Sequence, residues 1–332
     1  MKRIALILMI ALLPLAGCDK LDNNSVSGKA PGGQNSQGGQ PGGGEEGGDD
    51  KPVTQPSGAI KEWTQDLWVD RTLSPGMYQY MVSKYQVTYD SKGRIARIDE
   101  SDTYYKEGGG QDGDVRHSSI YYVYGNGTLE LRFPSNSEKD TKSRCVLNSD
   151  GNVVTIENGY MDGSSWKVSG TTKYSYQSLG SDTKEIYLSK VEYPVSSGKR
   201  YPFEFTWSSN TTVSRIVESD PRSMQDPEED ETRNYFYTEK DNPLFGSPLD
   251  LATYAVVSSV IGGGYPLPLG SGIKKLVSYA NTTYRNEAEK FTWEWNSGNT
   301  RLEHIRIDQK LFPEDSSVKN SRQINYWPEY YD

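Results

Sequence analysis

Along most of the chain, apolar and polar residues alternate one for one, and the alternation breaks at short intervals around Gly, Asn or Asp. In YQVTYDSKGRIARIDE, residues 85–100, Tyr85, Val87 and Tyr89 fall on one face while Gln86 and Thr88 fall on the other. Asp90, Lys92, Gly93 and Arg94 then interrupt the run before Ile95 and Ile98 resume it. A period of two on both sides of a Gly-containing turn predicts a hairpin with one buried face. Gly93 supplies the positive φ that such turns need, and Asp tolerates it. Asp90, Lys92 and Arg94 are thereby read as turn and solvated strand residues rather than as a reactive group.

The same unit recurs. Residues 145–156 repeat it around Asn148 and Gly151, residues 205–216 around Asn210, and residues 293–305 around Asn296 and Gly298. Weaker strands, Tyr122-Val123-Tyr124, Tyr174-Ser175-Tyr176 and Tyr235-Phe236-Tyr237, fall between them, so the step is near 30 residues with insertions. One segment departs from the pattern. Residues 249–261 are continuously apolar enough for a short helix, with Ser247 as its cap, Pro248 at its first turn and Gly262 to Gly264 at its end. The expected fold is all-β: an elongated antiparallel meander of repeated hairpins, forming a curved sheet or an open, barrel-like surface, with one helical insert plugging an end or face. With 24 Tyr, 7 Trp and 7 Phe, β-prone aromatics dominate the apolar set, which agrees.

The N-terminus has a different character. Lys2 and Arg3 precede an apolar run from Ile4 to Leu15 that is too short to cross a bilayer and has the flanks of a secretory signal. Leu15-Ala16-Gly17-Cys18 resembles the lipobox of bacterial lipoproteins. That resemblance implies a diacylglyceryl group on the Cys18 thiol, cleavage before it, and acylation of the new amine. Two or three acyl chains, at about 0.8 kcal/mol per buried methylene, anchor stably. The expected organisation is a signal peptide over 1–17, a Gly-rich tether over 18–58 that lacks the apolar residues needed to fold, and one β-repeat domain over 59–332. Asp19 and Asp22 beside the lipid resemble the export signal of surface lipoproteins in the Bacteroidota. Loss of Lys2 and Arg3 takes the net charge from -9 to -11, which argues against nucleic acid or an anionic membrane surface as a partner. The expected location is therefore the cell envelope, by an outer-membrane lipid anchor.

The Tyr-Asp-x-x-Gly-Arg-Ile unit, at residues 89–95, looks like the YD-type repeats of large bacterial surface shells. The whole layout of lipobox, tether, hairpin domain and late helical insert resembles an uncharacterised family of Bacteroidota lipoproteins, over roughly residues 78–310. The resemblance implies an antiparallel β fold and an envelope location, and it brings no catalytic residues with it.

Chemistry is sparsely marked. The two histidines, His117 and His304, stand apart, and no HExxH or Cys cluster predicts zinc. Cys145, on an alternating strand, reads as a buried inert thiol, since nothing nearby would lower its pKa. No catalytic motif is present. No cofactor is expected, and calcium is the one metal with candidate ligands: Glu107, Asp112 and Asp114 in one loop, and the acidic run 226–231 in another. The aromatics give the functional hint. Trp207, Trp293, Trp295, Tyr326 and Trp327 are candidate ligand-binding residues, because exposed rings can stack on sugar faces and large exposed apolar patches mark interaction sites. The expected function is a non-catalytic binding module for a glycan or surface polymer. The alternatives are an adhesin or assembly subunit whose envelope-protein partner joins through the tail or a sheet edge, and a hydrolase with a converging carboxylate pair.

Overall fold

The computed structural model describes residues 55–70, 76–133, 141–162, 165–179, 185–194, 200–208, 211–218, 231–261, 265–282, 287–311 and 322–332. Cys18, the tether up to residue 54 and nearly all of the acidic run 226–231 lie outside them. The described residues form sixteen strands and one helix. The first eight strands are β1 (Ile60–Asp70), β2 (Met77–Tyr89), β3 (Ile95–Tyr104), β4 (Arg116–Tyr124), β5 (Thr128–Arg132), β6 (Thr141–Leu147), β7 (Val153–Asp162) and β8 (Ser165–Ser178). Next come β9 (Ile186–Pro194), β10 (Arg200–Trp207), β11 (Val213–Glu218), β12 (Glu231–Asp241) and the helix α1 (Leu251–Ile261). The chain ends with β13 (Lys275–Thr282), β14 (Glu287–Trp295), β15 (Leu302–Leu311) and β16 (Arg322–Tyr330).

Every strand pairs antiparallel with its neighbours in sequence, and β16 pairs with β1, so the meander closes into a barrel. The expected antiparallel meander with a helical insert is present. The open or curved sheet is replaced by full closure, which removes every edge. The aromatic tail is part of that closure: Tyr326, Trp327 and Tyr330 pair with Gln65, Thr64 and Ile60. Residues just before β1 are bonded to the barrel as well. Gln55 Oε1 accepts from the Tyr89 amide at 3.2 Å, and Gly58 N donates to Tyr331 O at 3.0 Å.

The hairpin turns are built as their residues suggest. Asp90 Oδ1 accepts from the amides of Lys92 and Arg94, and Asn148 and Asn296 cap their own turns in the same way. Gly93 and Gly151 take the positive φ, and Thr211 and Asn299 take it in the two copies that lack a Gly there. Partial burial pushes the Asp90 carboxyl up, but the hydrogen bonds from Arg94 and Lys92 and the Arg94 charge outweigh it and hold the pKa low. Each turn is preceded by a bulge that falls at the large residue before it: Tyr89, Leu147, Trp207 and Trp295. A bulge re-aims a side chain, and here the aromatics near this end tie adjacent strands together. Tyr89, Tyr176, Tyr237 and Tyr330 donate their hydroxyls to the carbonyls of Ile60, Val153, Val213 and Leu302. Trp207 and Trp293 do the same with indole N–H groups, to Leu188 and Val277.

This tied end is also plugged. Between β12 and β13 the chain enters the lumen as α1 and returns through residues 265–274. Leu249, Leu251, Ala252, Ala255 and Val256 join one core with inward residues of the wall, including Ile98, Ile120, Leu129, Val191, Ile216 and Ile305. The return segment is bonded to the wall: Tyr122 donates to Pro266 O, Val153 N to Pro268 O, and Ser271 N to Ile186 O. Cys145 lies in this core, where burial pushes its thiol up to about 12 and leaves it unreactive. The helix cap is Asp250 rather than Ser247, which donates to Leu249 O instead. Asp250 accepts from Thr253 N at 2.9 Å, from the Thr253 hydroxyl at 2.7 Å and, on both carboxylate oxygens, from Asn242 Nδ2 at 3.0 Å. Asn242 also reaches Ile273 O, so one network fixes where the insert leaves and rejoins the wall.

The two faces of the wall differ in character. On β2, Ser83, Tyr85, Val87 and Tyr89 are buried inside while Lys84, Gln86 and Thr88 are exposed outside. Outward ion pairs continue around the barrel, as at Arg97–Asp99, Arg132–Glu130, Lys190–Glu192 and Arg306–Asp308. Because Asp250 satisfies three donor groups, Asp250→Ala is expected to cost about 2–3 kcal/mol in urea unfolding. Asp250→Asn, which keeps a cap oxygen, is expected to cost less than half of that.

Candidate functional site: the closure seam

The residues that close the barrel carry a continuous polar and aromatic strip on its outer wall. Inward Trp63, Gln65 and Leu67 leave Thr64, Asp66 and Trp68 facing out, and register places Trp327, Asn325 and Gln323 opposite them. Register with β16 and β14 then sets His304 outward, opposite Glu294. Asp66 Oδ1 accepts from Asn325 Nδ2 at 2.6 Å. Its other oxygen accepts from the Trp68 indole at 2.8 Å and the Gln79 amide at 3.3 Å. Asn325 Oδ1 meets His304 Nε2 at 3.0 Å, and His304 Nδ1 lies 3.3 Å from Glu294 Oε2. Both ring nitrogens of His304 therefore face oxygens. Its ring stacks on Trp327 with centroids 5.0 Å apart and planes 2° from parallel.

Asp66 and Asn325 are 6% and 3% exposed although they point outward, while Trp327 remains 36% exposed above them. Buried polar groups that are fully bonded rigidify their surroundings. Here they hold an indole and an imidazole flat against the wall as one platform. At the other end of the strip, Trp68 and Gln79 border a cleft of about 340 Å³ at the rim farthest from the plug. Tyr78, Tyr105, Lys106 and Glu107 complete its sides, and Gly108 to Gly110 its lip. Burial, and then the Glu107 carboxylate, push the Tyr78 phenol up, so it remains a hydrogen-bond donor.

Of the five aromatics proposed from sequence, only Trp327 faces outward. Trp293 and Trp295 do share one face, and Glu294 the other, but theirs is the inner face, packed against the core with Trp207. Tyr326 is buried in the same core. The five thus form no common exposed surface, because strand alternation sends all but Trp327 inward. Trp295 keeps a buried indole N–H without a partner, under Lys240. The loop with Glu107, Asp112 and Asp114 is described, but these carboxylates do not gather: among the described residues no group of three metal-ligating side chains exists, and Asp112 sits 3.7 Å from Lys106. Asp66, Trp68, Gln79, Asn325 and His304 were not singled out as site residues from the sequence.

Behind the strip, two carboxylates enter the lumen from β3. Glu100 and Asp102 share the inward face with Tyr85 and Ser83 of β2, and Ser118 and Ser83 donate to them. Burial, and then Asp102, push Glu100 up against the hydrogen bonds from Tyr85 and Ser118. Burial also pushes Asp102 up, opposed by Ser83 and Arg116.

No family model matches the chain, and no curated protein matches it. Among solved structures, a porin-like protein from Bacteroides uniformis ATCC 8492 superposes with a TM-score of 0.58 at 14% identity, covering 83% of this chain and 100% of that one. A porin-like protein from Bacteroides vulgatus ATCC 8482 gives a TM-score of 0.40 at 9% identity, over 82% of this chain and 98% of that one. The first likeness establishes the class, an antiparallel β-barrel.

Since the folded-state values of Glu100 and Asp102 lie above the unfolded ones, their protonated forms stabilise the fold, and that contribution is lost as pH rises through the folded values. The double variant Glu100→Gln, Asp102→Asn is expected to be more stable than the parent at neutral pH. That gap should close as pH is lowered toward the ordinary carboxylate range, about 4, which a urea titration at several pH values would check.

Proposed function

We propose that this protein is a non-catalytic glycan-binding module of the cell envelope, held by lipid on Cys18, with the outward strip at the barrel closure as its binding surface. The observation that carries the reading is the exposed Trp327 ring, locked parallel to His304 by the buried chain through Asn325 and Asp66. A flat, immobile aromatic face flanked by amide and carboxylate groups suits a sugar ring, whose C–H face stacks while its hydroxyls bond at the edges. Aromatic rings that lose little freedom on binding give affinity at low entropic cost.

The wall supports a head in water rather than one in lipid. A membrane-spanning barrel carries an outward apolar band about 25 Å tall, whereas here the outward positions of β2 and β3 include Lys84, Gln86, Thr88, Arg97 and Asp99. A lipid anchor at Cys18 then does what the wall does not. The chain enters the barrel at the plugged end, where Gln55 and Gly58 bond to Tyr89 and Tyr331. The cleft rim is at the opposite end of the barrel. The adhesin alternative loses the free sheet edge it called for, since β1 and β16 are paired with each other.

The test is a broad polysaccharide and mucin-glycan array probed with the chain lacking residues 1–18, with calcium and with chelator. The expected result is a reproducible hit that Trp327→Ala abolishes and Trp295→Ala leaves in place, unaffected by chelation. A blank array in both conditions, or binding indifferent to Trp327, would overturn the reading.

A further inference from the structure

Resting on that reading, we infer that the cleft between Trp68 and Tyr105 is a second sugar subsite, and that the ligand is an uncharged polysaccharide chain engaged over several residues at once. The two places are physically joined. Trp68 and Gln79, which wall the cleft, hang from the same Asp66 carboxylate that fixes Asn325 beneath the His304–Trp327 platform. Trp68 pairs with Gln323 and Thr64 with Trp327, so cleft and platform stand four residues apart on neighbouring strands. At about 3.3 Å per residue this is roughly 13 Å along the wall, longer than one sugar ring and within reach of a short chain lying on the strip.

The lining decides the ligand class. Trp68, Tyr78 and Tyr105 offer ring surface, the Tyr78 phenol can donate, and the Gln79 amide, whose nitrogen is held by Asp66, keeps its oxygen as an acceptor. Lys106 and Glu107 bring one charge of each sign, and Lys106 also has Asp112 at 3.7 Å. Between cleft and platform, Asp66 is enclosed and bonded only by neutral N–H donors. Lys106, already beside Asp112, is the one cation among the described residues lining the cleft, so the strip offers little to hold an anionic sugar. A volume of about 340 Å³ falls at the small end of ordinary ligand pockets, about 300–1,000 Å³, as expected for one residue of a longer chain.

Calorimetric titration with uncharged oligosaccharides of two to eight residues (β-1,4-glucan, β-1,3-glucan and α-mannan series) tests this, using the chain lacking residues 1–18. Affinity is expected to rise with chain length until both places are filled, and to be unchanged between about 10 and 150 mM salt. Tyr105→Ala and Tyr78→Ala should each remove about tenfold from the longer probes and nothing from the shortest, with unfolding curves confirming that each variant is folded. Length dependence surviving in both variants would overturn the cleft subsite while leaving the Trp327 reading intact. Affinity that falls steeply with salt would overturn the uncharged class. Failure of every probe to bind would overturn both.

Discussion

Sixteen strands enclose a wider lumen than inward side chains alone can fill, and a void in a protein core forfeits packing on every side. The chain meets that constraint from one end. Between β12 and β13 it inserts α1 and the segment 265–274, whose Leu249, Leu251 and Val256 complete the core begun by Ile98, Ile120, Val191 and Ile305. The bulges at Tyr89, Leu147, Trp207 and Trp295 lie at the same end of the wall as the plug, and a bulge bends its strand. The phenol and indole ties at that end hold the bent strands in register while satisfying polar groups that burial would otherwise leave costly.

Closure has a second consequence on the outside. Bringing β16 against β1 joins residues from the two ends of the domain, and Asn325 reaches Asp66 across 259 positions of sequence. The barrel is locked there by a hydrogen-bonded polar chain on its outer face, while on the inner face of the neighbouring β1–β2 pair Trp63 and Tyr85 stack with centroids 4.3 Å apart. The exposed platform follows from that lock: His304 and Trp327 are aligned because Asn325 and Asp66 beneath them have no freedom left. Structure and proposed binding surface thus share one set of contacts.

What could be read from the sequence was local. Strand alternation and the places of Gly93 and Gly151 in their turns follow from backbone geometry within a dozen residues, and the hairpins appear where that geometry put them. Residues 249–261 were legible as a helix for the same reason, although the cap is Asp250, to which Asn242, just past the end of β12, donates. Closure was not legible: nothing local tells β16 to pair with β1 rather than remain an edge. The inward orientation of Trp207, Trp293 and Trp295 required knowing which face of each strand the plug would occupy. The strip required five strands to be assembled first, since Asp66, Gln79, Glu294, His304 and Asn325 lie on β1, β2, β14, β15 and β16.

The central claim is that this barrel turns its charged side to water and its apolar side to its own plug. The most direct measurement is the behaviour of the chain lacking residues 1–18 in buffer without detergent, followed by sedimentation and circular dichroism. The account predicts that it stays dissolved at high concentration with a β-rich spectrum and a cooperative unfolding transition, and that added lipid vesicles change neither. A chain that precipitates until detergent is supplied, or that gains its β signal only on inserting into vesicles, would contradict it.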